Sequence, residues 1–248
     1  MNTHRRTILI TGSGRGIGKA TALYFAQNQP DYWNIVINCG HSPEELEQTK
    51  SEITQLGVPC LAIVADISEY AQVQHMIRQI HETFGQIHVL VNNAGIAHIG
   101  LFTDTTPAQW NKIIGTNLTS LYNCCHTVVP DMIKEHAGKI INISSVWGVS
   151  GASCEVAYSA AKGGVNTFTK ALAKELAPSN IQVNAIACGV IDTIMNKTLS
   201  EADREALIDE IPACRMGQPE EVAALIFDLS TKHNYLTGQV ITLDGGWI

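Results

Sequence analysis

An unbroken alternation of short β-branched apolar runs with longer amphipathic stretches constrains this chain more than any other feature. Runs at Thr7–Thr11, Ile35–Asn38, Cys60–Ala65, His88–Asn92, Lys139–Ser144, Gln182–Ala187 and Val240–Leu243 read as strands. Stretches of helical length lie between most of them: Gly18–Asn28, Pro43–Leu56, Tyr70–Phe84, Leu118–Lys134, Tyr158–Leu176 and Pro219–Leu229. Strands that are apolar nearly throughout belong in a parallel sheet whose two faces are covered by the crossover helices. No Pro/Gly/Ser-rich linker, internal repeat or charged tail divides the 248 residues. The expected architecture is therefore α/β: a single doubly wound domain over 1–248, with a parallel seven-stranded sheet and helices on both faces. One stretch breaks the rhythm. Residues 188–218 are polar, helix-prone and long for a connection, and are expected to form a substrate-covering segment over the crevice at the carboxyl edge of the sheet.

A net charge of −7 gives no support to nucleic acid or an anionic membrane as partner. No apolar run approaches the roughly 20 residues of a membrane span. Met1 to Arg6 leads straight into an apolar strand without a cleavage site, so no signal peptide is expected. The seven cysteines form no C-x-x-C pair, and Cys124 and Cys125 are adjacent, as suits reduced thiols. The cytoplasm is the expected compartment. His98 has no H-E-x-x-H motif or Cys/His cluster around it, so no metal is expected.

The first strand ends in Thr11–Gly12–Ser13–Gly14–Arg15–Gly16–Ile17–Gly18, after which a helix begins. The spacing is T-G-x-x-x-G-x-G rather than G-x-G-x-x-G. Glycines here let the backbone turn tightly against a pyrophosphate, whose charge the helix N-terminus stabilises. All residues from Gly12 to Gly18 are candidate cofactor contacts. The second strand ends Ile37–Asn38–Cys39–Gly40–His41–Ser42 with no acid for a ribose 2′-hydroxyl. Arg15 in the loop and His41 at the strand end suit a 2′-phosphate instead, so NADP(H) is preferred and NAD(H) possible.

Tyr158 and Lys162 are four residues apart, hence on one helical face. A neighbouring ammonium favours the phenolate and lowers a phenol from its ordinary pKa of roughly 10. Such a tyrosine can give a proton to a carbonyl oxygen or take one from an alcohol. Ser145 ends an apolar strand at the edge where open α/β sheets bind ligands, and its hydroxyl can steady charge developing on a carbonyl oxygen.

The glycine loop, Asn92–Asn93–Ala94–Gly95, Asn117, Ser145 and the Tyr158/Lys162 pair together resemble the short-chain dehydrogenase/reductases over essentially the whole chain. The resemblance implies a Rossmann-type domain, a homotetramer and an NADP-dependent oxidoreductase acting on CH–OH groups. It also implies a catalytic set of Asn117, Ser145, Tyr158 and Lys162, with Lys162 also binding the nicotinamide ribose. Asp66 and Ile67 would meet the adenine, Asn93, Ala94 and Gly95 would line the cofactor cleft, and Ile191 and Thr193 would hold the nicotinamide carboxamide. The backbone of Asn117 would support a water leading protons to the lysine. Within the family the chain is most like the bacterial 3-oxoacyl-[acyl-carrier-protein] reductases of fatty acid biosynthesis, through Thr11 to Gly18, Asn92 to Ile96, Ile143 to Gly148, Thr237–Gly238–Gln239 and Asp244–Gly245–Gly246. It departs from them in several places. Ser is common where Gly14 stands. The family's Pro–Gly after the sixth strand is Cys188–Gly189 here. Arginines that meet the acidic acyl carrier protein are replaced by His136 and Ser179, with Lys134 and Lys139 the only nearby cations.

Substrate contacts are expected from Ser145, Tyr158 and Trp147, with His98, Phe102 and Met195 to Leu199 as further candidates. Such walls suit an acyl thioester, but equally a steroid, a sugar or a small ketone or alcohol. Gly12 to Gly16 also reads as the G-x-G-x-G of S-adenosylmethionine-dependent methyltransferases. That reading wants an acid where Cys39 stands and leaves Tyr158 and Lys162 without a task. A non-enzymatic NADP sensor commonly loses a member of the catalytic set, and all members are present here.

Overall fold

The computed structural model of the chain describes residues 5–196 and 200–248. Strands β1 (Arg6–Ile10), β2 (Trp33–Cys39), β3 (Cys60–Val64), β4 (Val89–Asn92), β5 (Gly138–Ser145), β6 (Ile181–Cys188) and β7 (Val240–Leu243) form one sheet. Their order is β3-β2-β1-β4-β5-β6-β7, with every pair parallel. Each expected run is a strand, its ends within two residues of those expected and those of β7 unchanged.

Alternation along β1 shows how the two layers arise, because successive side chains leave opposite faces of a strand. Ile8 and Ile10 join a core with Phe25 of α1 (Gly16–Asn28), Leu46 of α2 (Pro43–Gln55) and Phe227 of the C-terminal helix. Leu9, between them, faces Met76 of α3 (Tyr70–Phe84) and the buried thiols Cys124 and Cys125 on the opposite side. The first core is clamped by Phe25, which meets Trp33 and Phe227 edge-on at 5.0 Å in each case. Rings in that arrangement gain about 0.5–1.5 kcal/mol beyond their burial.

The helix expected to begin at Leu118 is different in the structure. Thr106 and Gln109 form a capping box ahead of Pro107, starting α4 (Pro107–Ile114). The chain then passes through one π-helical turn, Gly115–Thr119, into α5 (Ser120–Glu135). The short α6 (Trp147–Ser150) and the long α7 (Val156–Leu176) follow β5. Residues 188–218 contain α8 (Glu201–Glu210), begun by Ser200, whose hydroxyl accepts the Asp203 N–H at 3.2 Å. Helix α9 (Pro219–Thr231) returns the chain to β7. No described helix is long and apolar enough to cross a membrane.

Order reverses at β1, which lies between β2 and β4. Connections from β1 and β4 therefore leave on opposite faces, opening a crevice above their carboxyl ends. The glycine loop and the Asn92–Gly95 segment both border it.

Candidate active site

Gly12 turns the chain at φ +64°, and a Cβ there would stand 2.7 Å from the Cα of Ala94, so only glycine fits. Asn93 locks the same junction: its Nδ2 donates to the carbonyls of Thr11 and Gly12 at 2.9 and 3.0 Å. The Thr11 hydroxyl accepts the N–H groups of Asn93 and Ala94. The loop is thus held on both sides before any ligand arrives. Helix α1 begins at Gly16 with no side-chain cap and no acid in its first turn, leaving its N–H groups available to an anion. The Gly14 carbonyl is fixed by the Thr49 hydroxyl at 3.1 Å. Gly16 lies against Thr193, since a Cβ on it would be 3.6 Å from the Thr193 methyl. These residues fit a pyrophosphate held by backbone.

Two expected cofactor contacts have their side chains engaged within the protein. The Ser13 side chain is fully buried, its hydroxyl donating to Ile10 at 2.7 Å and accepting the Asn38 N–H at 2.9 Å. It ties β1 to β2, and its N–H is committed to the same tie, donating to the Asn38 carbonyl at 2.8 Å. The Ile67 side chain is buried in the second core. Asp66 turns one carboxylate oxygen to the N–H and hydroxyl of Ser68, at 2.9 and 2.7 Å. Ile17 packs against the first core. Ile191 is buried where the chain bridges to Gly217, and the Asp192 N–H donates to the Gly217 carbonyl at 2.8 Å. The base of the covering segment is thereby fastened. At the end of β2, His41 is exposed, and the Arg15 side chain, 57% exposed, meets Glu45 at only 3.5 Å.

Asn117, Ser145, Tyr158 and Lys162 converge. Ser145 ends β5 in register with Cys188 of β6. Its hydroxyl accepts the Trp147 N–H at 3.2 Å and is near enough to the Tyr158 phenol to draw its pKa down. Lys162, one turn along α7, is buried and donates to the Ile143 carbonyl at 2.8 Å. Its ammonium is 5.6 Å from the centre of the Tyr158 ring. Asn117 sits in the π turn, where its Nδ2 donates to the carbonyls of Ile96 and Ile113 and its Oδ1 accepts the Ile96 N–H. A Cβ on Gly95 would meet Asn117 Oδ1 at 2.6 Å and Lys162 Nζ at 3.6 Å. A side chain at that position would separate groups that the fold brings together. π turns inside helices frequently occur at functional sites, and here the turn carries a candidate catalytic residue.

The electrostatics differ from the expectation of an acidified phenol. Burial pushes the Tyr158 hydroxyl upward, Ser145 draws it down, and Cys188 and Glu155 raise it further. Lys162 is itself lowered to about 8 by burial, with Cys188 acting against that. Cys188 is pushed up to about 12 by burial and drawn down by Lys162. The lysine is thus poised near neutrality while the phenol stays protonated.

Around this centre Trp147 is half-buried, its ring edge-on to Trp247 at 4.9 Å, and burial raises the nearby Glu155 carboxyl while Trp147 lowers it. His98 is half-buried and bends toward Gly100; Phe102 is 64% exposed in a short 3-10 turn. Met195 is exposed, and Lys197 to Leu199 lie outside the described residues. Glu155 and Trp247 escaped the sequence reading, and Cys188 was noted there only as standing where the family has proline. Only Glu155, three residues before Tyr158, carried a local signal.

A family model described as short chain dehydrogenase matches residues 6–204. The chain is similar to a 3-oxoacyl-[acyl-carrier-protein] reductase of Thermotoga maritima, 41% identical over 249 residues and 100% of both chains. It is 38% identical to a protein of the same name from Staphylococcus aureus over 242 residues, 97% of each chain. An uncharacterized oxidoreductase of Bacillus subtilis is 37% identical over 98% of each chain.

Proposed function

The chain belongs to the short chain dehydrogenase family, and we propose that it is an NADPH-dependent reductase of 3-oxoacyl thioesters. The observation that carries the reading is Tyr158 with the buried Lys162 ammonium 5.6 Å from its ring centre, one helical turn along α7, beside Ser145 at the carboxyl end of β5. The cofactor, when bound, supplies the hydride. The chain's own residues do the rest. Ser145 orients a carbonyl oxygen and steadies its developing charge. Tyr158, held protonated by its burial, is suited to giving that oxygen a proton. Lys162, lowered to about 8, can restore the proton to the phenol. Asn117 holds the Ile96 backbone against this pair. A phenol kept protonated is the form that carbonyl reduction requires.

The uncapped start of α1 and the acid-free end of β2 support a phosphorylated dinucleotide, with Arg15 weakly paired and free to turn to a 2′-phosphate. We place the enzyme in the cytoplasm as a homotetramer, on the strength of the family likeness.

One observation bears on the carrier. Lys139, expected as a cation for an acidic partner, is 6% exposed and donates to the His233 carbonyl at 2.8 Å and to Asn234 at 3.0 Å. Burial and Arg6 lower it to about 8. It is a structural tie between β5 and the segment before β7. Lys134 alone remains of the expected cations, which favours a thioester whose acyl part, more than its carrier, is recognised.

NADPH oxidation followed at 340 nm against 3-oxoacyl thioesters, ketosteroids and small ketones tests the reading. Thioesters should be the best substrates, with carrier-bound and coenzyme A-bound forms of comparable efficiency. Activity confined to steroids or small ketones would overturn the substrate class.

A further inference from the structure

Residues 189–193 leave β6 beside Ser145 and end against the glycine loop. At the near end, the Cys188 carbonyl accepts the Val146 N–H at 2.9 Å, next to Ser145 in β5. At the far end, the Thr193 methyl lies 3.6 Å from where a Cβ on Gly16 would stand. This strap therefore borders the crevice between the first turn of α1 and Ser145. A dinucleotide with its pyrophosphate on α1 and its reactive ring at Ser145 and Tyr158 must lay its nicotinamide half along it.

Two ion pairs fix the strap. On one side, the Gly217 N–H donates to the Val190 carbonyl at 2.9 Å and its carbonyl accepts from Asp192. Gly217 is steadied by the Arg215 guanidinium, which takes both Glu221 oxygens at 2.7 Å, while Glu221 accepts the Gln218 N–H. On the other side stands Arg204 of α8. Its Nη1 and Nη2 donate to Oδ1 and Oδ2 of Asp192 at 3.2 and 2.8 Å. Helix α8 buries none of its residues fully. Its far end is pinned by the buried Ile211 and by the Ala213 N–H on the Gly245 carbonyl. At its near end the Arg204 fork joins it to the strap.

We infer that Arg204 is a positioning residue for the dinucleotide: acting through Asp192, it sets the strap as the wall of the nicotinamide half of the crevice before the cofactor arrives. An exposed pair with a single contact contributes little. Here the side chains are only 33% and 37% exposed, and two nitrogens meet two oxygens, so the fork fixes direction as well as distance. A ligand whose binding wall is in place for only part of the time binds more weakly by that fraction. Loss of the fork therefore acts on the nicotinamide end. The phosphates are met at the glycine loop, which has its own ties through Thr49 and Ser13.

The inference rests on the proposed use of NADPH, and its test separates the two. NADPH and 2′-phosphoadenosine diphosphoribose share every phosphate and differ by the nicotinamide. Calorimetric titration gives the ratio of their dissociation constants without turnover. Arg204→Ala should weaken NADPH by about tenfold and the fragment by no more than about twofold. A general loss of stability would leave that ratio where it was. Arg204→Lys, which keeps a donor for one oxygen, should recover part of the difference. On an Asp192→Ala background, Arg204→Ala should add nothing, because the two residues act as one unit. Equal weakening of both ligands, an unchanged ratio, or additive effects of the two substitutions would overturn the inference alone. An unaltered protein that binds neither ligand would remove the cofactor reading, and the inference with it. A shifted ratio in a protein that reduces no thioester would remove only the proposed substrate class.

Discussion

The ammonium of Lys162 donates to the Ile143 carbonyl at 2.8 Å while standing 5.6 Å from the centre of the Tyr158 ring. The lysine is thereby anchored to β5 as much as to the tyrosine. Its burial makes it a proton store, and burial of the phenol makes Tyr158 an acid rather than a base. Tyr158→Phe removes that acid but retains the ring. Reductive kcat should fall by about 10²–10⁴, as loss of a general acid does, with NADPH affinity changed by no more than about twofold. Steady-state rates and NADPH fluorescence titration check the two halves.

Lys162 sets a second expectation. A group lowered to about 8 loses its proton as pH rises through that value. Reduction needs the ammonium to resupply the phenol, so kcat should be level below pH 7 and decline through pH 8 to 9, about tenfold per unit once the limb is reached. A rate level to pH 10 would remove Lys162 from the proton path.

Arg15 decides between the two nicotinamide dinucleotides. It pairs with Glu45 at 3.5 Å with much of both side chains in water, an interaction worth about 0–1 kcal/mol. Little is lost when it turns to a 2′-phosphate, where a charge-assisted hydrogen bond contributes about 1.5–3 kcal/mol. Arg15→Ala should weaken NADPH roughly 10- to 100-fold and leave NADH nearly unchanged. Titration of both cofactors measures this, and an equal loss for both would assign Arg15 to the pyrophosphate instead.

These expectations were legible in the sequence to unequal degrees, for physical reasons. Strand positions followed from period and β-branching, because a buried parallel strand has little freedom in composition. The helix start at Pro107 was missed because its capping signal, Thr106 with Gln109, sits in a polar stretch without apolar period. The π turn at Asn117 has no composition of its own and follows from packing around Gly95 and Ile96. The Tyr158/Lys162 spacing revealed a shared face but not the solvation of either group. Burial of both side chains comes from β5 and β6, far away in sequence, and it reversed the expected direction for the phenol. Ser13 was expected among the cofactor contacts, and in the structure its hydroxyl bonds to Ile10 and Asn38, joining β1 to β2. Lys139 looked like a surface cation until the segment before β7 folded over it.

The last expectation concerns stability in acid. His88, just before β4, accepts the Thr7 N–H on Nδ1 at 2.9 Å, which requires that nitrogen to be unprotonated. Burial, with Arg6 adding to it, lowers the imidazole to about 4 from its ordinary 6.5. Between those values the unfolded chain binds a proton that the folded chain refuses, so stability falls as pH drops from 6.5 to 4 and this contribution levels off below. The full shift would correspond to roughly 3 kcal/mol, and partial solvent access reduces this to about 1–2 kcal/mol. At about 2–4 °C per kcal/mol for a chain of this size, the melting temperature should drop by roughly 2–8 °C between pH 6.5 and pH 4 through this residue. His88→Gln, which cannot be protonated, should be less stable at pH 7 for want of a well-placed acceptor and should lose less on acidification. Parallel melting curves of both proteins across that range measure the difference, and equal acid sensitivity would show that His88 is not the group responsible.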